Sequence, residues 1–343
     1  MAISGLTLIG TCPSLGHRQS ARDYLEDVRK AATLAERQGW AAVLIYSNHT
    51  QIDPWVVAQA VLGMTTTLSP LVALQPLYMH PFAAARSVAS LSLLFERPVN
   101  INFVSGGLPR DLETFCDTLS HDERYERIVE YGTIMQHILF EKTPLTFDGK
   151  FYKVHSLLLQ PFPAPKPHCK PIFTMAGSSN ASIAAARKLN ARAIQYLKPC
   201  SEYRNASMPE GLQLGARIGI ISRPTSAGAW QVATERFPED PVGIQMRKYF
   251  LGISDSVWVQ ELGRATTLPE GHPYWLGPYN NNQVSSPFLV GKDTDVASEL
   301  AGYIKLGLTT FFVESPVDHA DAEFITEAFE LAHAKATASL AAR

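Results

Sequence analysis

No apolar run in this sequence approaches the roughly 20 residues that a helix needs to cross a bilayer. An excess of charge of one sign is equally missing. Lys and Arg number 30 against 32 Asp and Glu, a net charge of −2 with a pI near 6.6. That balance gives no general electrostatic case for nucleic acid or an anionic membrane as partner. Cysteine is scarce: Cys12, Cys116, Cys169 and Cys200 lie far apart, without the C-x-x-C spacing of a metal site. They read as reduced thiols, and no metal is expected. Met1-Ala2-Ile3-Ser4-Gly5 has neither the basic nor the apolar region of a secretory signal, so a cytoplasmic location is expected. No G-x-G-x-x-G follows the first apolar run, which counts against a Rossmann dinucleotide site.

What is present is enough apolar material for a large core, 46% of 343 residues. Short apolar runs alternate with helical patterns. Strands are predicted at Leu6–Gly10, Ala41–Ile45, Leu71–Leu74 and Val99–Val104, with helices at Ser20–Gln38, Asp53–Thr66 and Pro81–Phe95 between them. Four such units in about a hundred residues imply parallel strands joined by helical crossovers. After a helix over Ser120–Phe140 comes a hairpin signal centred on Asp148-Gly149. Four further strands, at Pro171–Ala176, Ala191–Tyr196, Gly215–Ser222 and Thr309–Val313, complete eight. The pattern predicts one (β/α)8 barrel domain over residues 1–343, with an irregular insertion at about 230–290 before the last strand.

Candidate site residues belong at the carboxyl ends of the strands. Asn102 is a buried amide near the end of the fourth strand, where two donors and an acceptor need partners. It reads either as a functional group or as a brace to a neighbouring strand end. Ser120 and Glu123 form a capping-box pattern, and His121 and Tyr125 then share the first-turn face of the helix. Paired donors beside a helix N-terminus suit an anion such as phosphate. Gly177-Ser178-Ser179 opens another helix, where small residues admit an anion to backbone N–H groups; a plain serine N-cap is the alternative. His17, His49 and Arg217 are further polar candidates, Arg217 for either a substrate anion or an internal carboxylate.

The run Asn102-Phe103-Val104-Ser105-Gly106-Gly107, followed by Ser120-His121-Asp122-Glu123-Arg124-Tyr125-Glu126, resembles the bacterial luciferase-like flavin monooxygenases, and within them the alkanesulfonate monooxygenase branch. The resemblance implies that His121, Tyr125, Gly177, Ser178 and Ser179 hold the FMN phosphate. It also implies that Ala73, Gln75 and Asn102 lie against the flavin ring. On the substrate side the branch's cysteine position is Gln51, its histidine near the strand-seven Arg217 is Gly219, and its first-strand histidine is Cys12. The mobile-loop arginine and the C-terminal tyrosine fall near Asn282 and Pro316. Catalytic candidates are therefore Asn102, Gln51, Arg217 and His49, with sulfonate cleavage in question. The implied activity is an FMNH2- and O2-dependent monooxygenase acting on a small organic substrate through a flavin (hydro)peroxide. The reduced flavin would come from a separate NAD(P)H-dependent flavin reductase, and self-association would give a homodimer or homotetramer. Rivals are an F420-dependent hydride-transfer oxidoreductase of the same superfamily and a non-catalytic flavin-binding protein.

Overall fold

The computed structural model describes residues 3–341 except 16–19, 108, 161, 163–164, 204–207, 264–267 and 269–270. In chain order the strands are β1 (Thr7–Thr11), β2 (Ala42–Ile45), β3 (Ser69–Leu74), β4 (Asn100–Phe103), β5 (Leu145–Asp148), β6 (Lys153–Leu157), β7 (Phe173–Ala176), β8 (Arg192–Tyr196), β9 (Leu214–Arg223), β10 (Tyr274–Trp275), β11 (Phe288–Lys292) and β12 (Leu308–Val313). The helices are α1 (Ala21–Arg37), α2 (Pro54–Met64), α3 (Pro81–Phe95), α4 (Pro109–Thr114), α5 (His121–Phe140), α6 (Asn180–Lys188), α7 (Ser226–Arg236), α8 (Pro241–Ile253), α9 (Val257–Gly263), α10 (Gly277–Asn280), α11 (Asp293–Lys305) and α12 (His319–Ala341). One sheet runs β10-β11-β9-β12-β1-β2-β3-β4-β7-β8, and β9 also pairs with β8. The fold is thus the expected (β/α)8 barrel.

Two compact units make up the chain, one of residues 12–33 and 42–193, the other of residues 1–11, 34–41 and 194–343. In the first, β2, β3, β4 and β7 are parallel, and Ala73, Asn102 and Thr174 stand in register across three strands. These strands are buried along their whole length, as expected when both faces are covered. Asp53 caps α2 by accepting from Trp55 N and Val56 N, with Pro54 at the first helical position. The antiparallel hairpin β5–β6 is fastened to α5 through Glu130, whose carboxylate accepts from the backbone N–H groups of Lys150, Phe151 and Tyr152. A Cβ at Gly149 would lie 2.3 Å from that carboxylate and 2.5 Å from the Phe147 ring, so a side chain there would have to displace one of them.

In the second unit β1 pairs with β12 and β12 with β9, all parallel. The long β9 changes partners along its length: Leu214–Ile218 face β12, while Gly219–Arg223 face β11. Phe288 stands opposite Gly219, and a Cβ there would come within 2.3 Å of the Phe288 ring.

Every strand predicted over 1–225 and every helix predicted over 1–190 is present, with ends shifted by three residues or fewer. Differences concentrate at 230–290. In place of an irregular insertion the structure has the helices α7, α8 and α9 and the added strands β10 and β11. The apolar period of α8 is real, but Val242, Met246, Tyr249 and Ile253 are exposed, so the stripe does not mark a core face. The short helix α4 also escaped the sequence pattern, and His17 lies outside the described residues.

Candidate active site

The β7–α6 turn meets the first turn of α5 at one corner of the first unit. The capping box of α5 forms as its sequence predicts: Glu123 N donates to Ser120 Oγ and Ser120 N to Glu123 Oε2. Lys150 Nζ donates to Glu123 Oε1 over 2.9 Å and, with Ser120 N and Ser120 Oγ both donating to Oε2, holds that carboxyl down to about 2. The cap fixes the helix start and with it His121 and Tyr125, whose ring centres are 5.1 Å apart. Tyr125 is buried and its hydroxyl donates to Ala176 O over 3.3 Å, so the two motifs touch although 51 residues separate these partners.

The residue after Ala176 is Gly177, at φ +142°, a backbone region that side chains strain to enter. A Cβ there would lie 2.6 Å from Tyr125 Oη and 2.9 Å from Ser182 Cβ. Ser179 is the N-cap of α6: its Oγ accepts from Ser182 N, and Ser182 Oγ donates back to Ser179 O. Ser178 Oγ, between these fixed neighbours, is buried and has no hydrogen-bond partner among the described residues. A buried hydroxyl without a partner is unfavourable by about 1–3 kcal/mol. This corner therefore holds one unpaired donor, a tyrosine hydroxyl, a histidine and a glycine cradle beside the N-terminus of a nine-residue helix. Those features fit an anionic phosphate.

The ends of β2 and β3 border a cleft of about 290 Å³ that reaches His49, Gln51, Ala73, Gln75, Tyr78 and Phe115. Gln75 is almost wholly buried, and its Nε2 has no hydrogen-bond partner among the described residues. Gly106, at φ +77°, makes room for it, since a Cβ there would lie 2.4 Å from that nitrogen. Gln51 Oε1 instead accepts from Leu15 N over 2.7 Å. His49 Nδ1 lies 2.6 Å from Asp111 Oδ1. Asp111 and Tyr78 were missed by the sequence reading. Asp111 sits on the unpredicted α4, and what distinguishes it is its contact with His49 at the cleft, since Asp321 is buried as deeply.

Asn102 and Arg217 occupy different circumstances from those expected of catalytic groups. Asn102 Oδ1 accepts from Thr174 Oγ1 over 2.7 Å, so its carbonyl braces the neighbouring strand. Arg217, in the second unit, donates through Nε to Glu314 Oε1 over 2.7 Å. Glu314 also accepts from Ser286 Oγ at 2.7 Å and Thr11 Oγ1 at 3.3 Å. An internal carboxylate is thus one partner the structure gives this arginine, with the Tyr196 side chain beside it. Burial pushes the Cys12 thiol up to about 12, which removes the thiolate at neutral pH. Among the described residues no cluster of His, Cys, Asp or Glu could hold a metal, and no helix is long and apolar enough to cross a membrane.

The model of the luciferase-like monooxygenases matches residues 3–310. The 4-(gamma-L-glutamylamino)butanoyl-[BtrI acyl-carrier protein] monooxygenase BtrO of Niallia circulans is 27% identical over 328 residues, covering 94% of this chain and 95% of that protein. Among solved structures, EDTA monooxygenase (EmoA) from Chelativorans sp. BNC1 superposes with a TM-score of 0.68 at 18% identity, over 96% of this chain and 94% of that one. Riboflavin lyase (RcaE), with modified FMN and riboflavin bound, gives 0.71 at 17% identity, over 95% and 90%. These structural likenesses establish the barrel; the family match goes further, and this chain belongs to the luciferase-like monooxygenases, an oxidoreductase that uses a flavin and O2.

Proposed function

We propose that the protein is an FMNH2- and O2-dependent monooxygenase of the two-component type, acting on a small organic molecule. One observation carries the cofactor assignment: Gly177 lies against the Tyr125 hydroxyl beside Ser178 Oγ, which has no partner among the described residues. In this reading Ser178 Oγ and the N–H groups at the start of α6 bind the FMN phosphate, with His121 and Tyr125 closing the other side. Ser179 serves mainly as the cap that aims those N–H groups. Ala73 and Gln75 then border the flavin ring, Gln75 Nε2 supplying a donor that has no partner among the described residues. Bound reduced flavin would supply the oxygen-activating chemistry, and the protein's part is to bind, orient and exclude water. Asn102 supports the site through Thr174 rather than by direct action.

On the substrate side His49 and Gln51 reach the cleft. Sulfonate cleavage is not favoured, because a sulfonate needs uncommitted cationic donors. Arg217 is engaged by Glu314, and Gly219 has no side chain to offer. A separate NAD(P)H-dependent reductase delivers the reduced flavin, consistent with the missing nicotinamide fingerprint in the sequence.

The test is oxygen uptake with chemically reduced FMN, together with FMN titration followed by fluorescence quenching. Saturable FMN binding and O2 consumption are expected. Tight F420 binding without oxygen uptake would replace the reading with a hydride-transfer enzyme.

A further inference from the structure

The cleft at the ends of β2 and β3 contains an acid–base pair that the cofactor does not require. Asp111 is 4% exposed and its Oδ1 is 2.6 Å from His49 Nδ1, while the His49 side chain remains 26% exposed. An ionised carboxylate only accepts hydrogen bonds, so the proton of neutral His49 sits on Nδ1 and the lone pair on Nε2. Among the described residues nothing hydrogen-bonds Nε2, and the ring borders the cleft. Of the other polar groups there, Gln75 offers an amide donor that is not a base. Asp53 caps α2, Gln51 accepts from Leu15 N, and burial followed by the Asp111 carboxylate pushes the Tyr78 hydroxyl up to about 12. Tyr78 therefore stays protonated at neutral pH and leaves His49 as the base. Aromatic edges frame the pair: Phe115 packs edge-on against both Tyr78, at 5.4 Å, and His49, at 6.5 Å. Trp55 borders the same cleft.

We propose that His49 is the proton acceptor of this cleft, with Asp111 as its positioning residue, and that the cleft takes a flat apolar molecule bearing a weakly acidic, phenol-like O–H. The O–H bond breaks and an Nε2–H bond forms. The electron pair stays on the substrate oxygen, and the imidazolium is balanced by Asp111. Nothing is oxidised in this step, and the proton returns when product leaves. The anion is richer in electrons than the neutral molecule and so a better acceptor of oxygen. Its use in turnover rests on the flavin reading above, whereas the pair itself rests only on geometry.

The probe is 4-nitrophenol, whose visible absorbance reports its own ionisation, added to the full-length protein below the probe's solution pKa. Wild-type protein is expected to bind it as the anion, and ring-nitrogen NMR is expected to show Nδ1–H His49 becoming doubly protonated. His49→Gln should lower the bound-anion signal by about tenfold or more, because the proton acceptor is gone. Asp111→Asn should move His49 away from the Nδ1–H tautomer and lower the signal several-fold, with Asp111→Glu restoring part of it. FMN quenching and circular dichroism in the same variants separate lost proton transfer from lost flavin binding or lost folding. If His49→Gln does not fold, the tautomer change in Asp111→Asn decides. Absence of probe binding, a probe bound neutral by wild type, an unchanged anion signal in His49→Gln, or an unchanged tautomer in Asp111→Asn would each overturn the proposal. Failure of wild-type protein to bind FMN would instead reject the flavin reading and leave this test standing.

Discussion

Two polar clusters in this molecule are built from similar materials and finished differently. Around Glu314 each group is answered: Arg217, Ser286 and Thr11 all donate to the one carboxylate. At the β7–α6 corner the neighbours are just as fixed, yet Ser178 Oγ is buried with no partner among the described residues, and Gln75 Nε2 at the cleft is in the same state. A saturated cluster stabilises a fold, because its members have already exchanged water for protein partners. An unsaturated one is a standing penalty that a ligand can remove, and selection tolerates it where binding is the purpose. The contrast explains why the conspicuous arginine of strand β9 reads as architecture, while an unremarkable serine carries the cofactor assignment.

The strongest way to break this comparison is on the saturated side. Glu314→Leu removes the acceptor and strands Arg217, at 12% side-chain exposure, without its counter-charge. A loss of about 3 kcal/mol in stability is expected, seen in urea unfolding, with little change in the FMN affinity of the folded fraction. Loss of FMN binding without loss of stability would reverse the assignment of the two clusters.

Gly177→Ala comes next. Strain at φ +142° and the overlap with Tyr125 should reduce FMN affinity by about 10²-fold, equivalent to the upper end of 1–3 kcal/mol for a disallowed backbone conformation. Fluorescence quenching measures it. Tyr125→Phe combined with Ser178→Ala should weaken FMN by about 1–3 kcal/mol through lost bonds to a charged group, while stability changes little, the loss of the Tyr125–Ala176 bond being offset as the unpaired Ser178 hydroxyl goes. Unchanged affinity in the double variant would reject the phosphate site.

Ser120→Ala should destabilise by about 1 kcal/mol as α5 loses its cap, readable as a lower melting temperature. The smallest effect is electrostatic. Glu123 has a carboxyl lowered from 4.5 to about 2, so its contribution is complete above pH 4.5 and is lost as the pH falls towards 2. An acid titration should show wild type losing more stability than Glu123→Gln across that window, and Lys150→Met should shrink the difference while the Ser120 bonds keep part of it.

Much of the barrel was legible because its signals are local. Alternating strands and helices, Asp53 before Pro54, and Ser120 three residues before Glu123 each report on neighbours a few positions away. The region 230–290 defeated the same approach for a definite reason. The apolar stripe of α8 is exposed, and β11 is a five-residue run whose strand character depends on the far half of β9. Asn102 and Arg217 were legible as buried or charged, but not their partners. Thr174 and Glu314 lie 72 and 97 positions away in the chain.

By itself, the sequence determined where the backbone turns helical or extended, and which short segments could grip an anion, because capping, periodicity and glycine act over a few residues. Only the tertiary structure decided which donors are spoken for. It set Gly177 against Tyr125, gave Arg217 to Glu314 and brought Asp111 to His49, since hydrogen bonds between distant residues depend on distances the chain acquires only on folding.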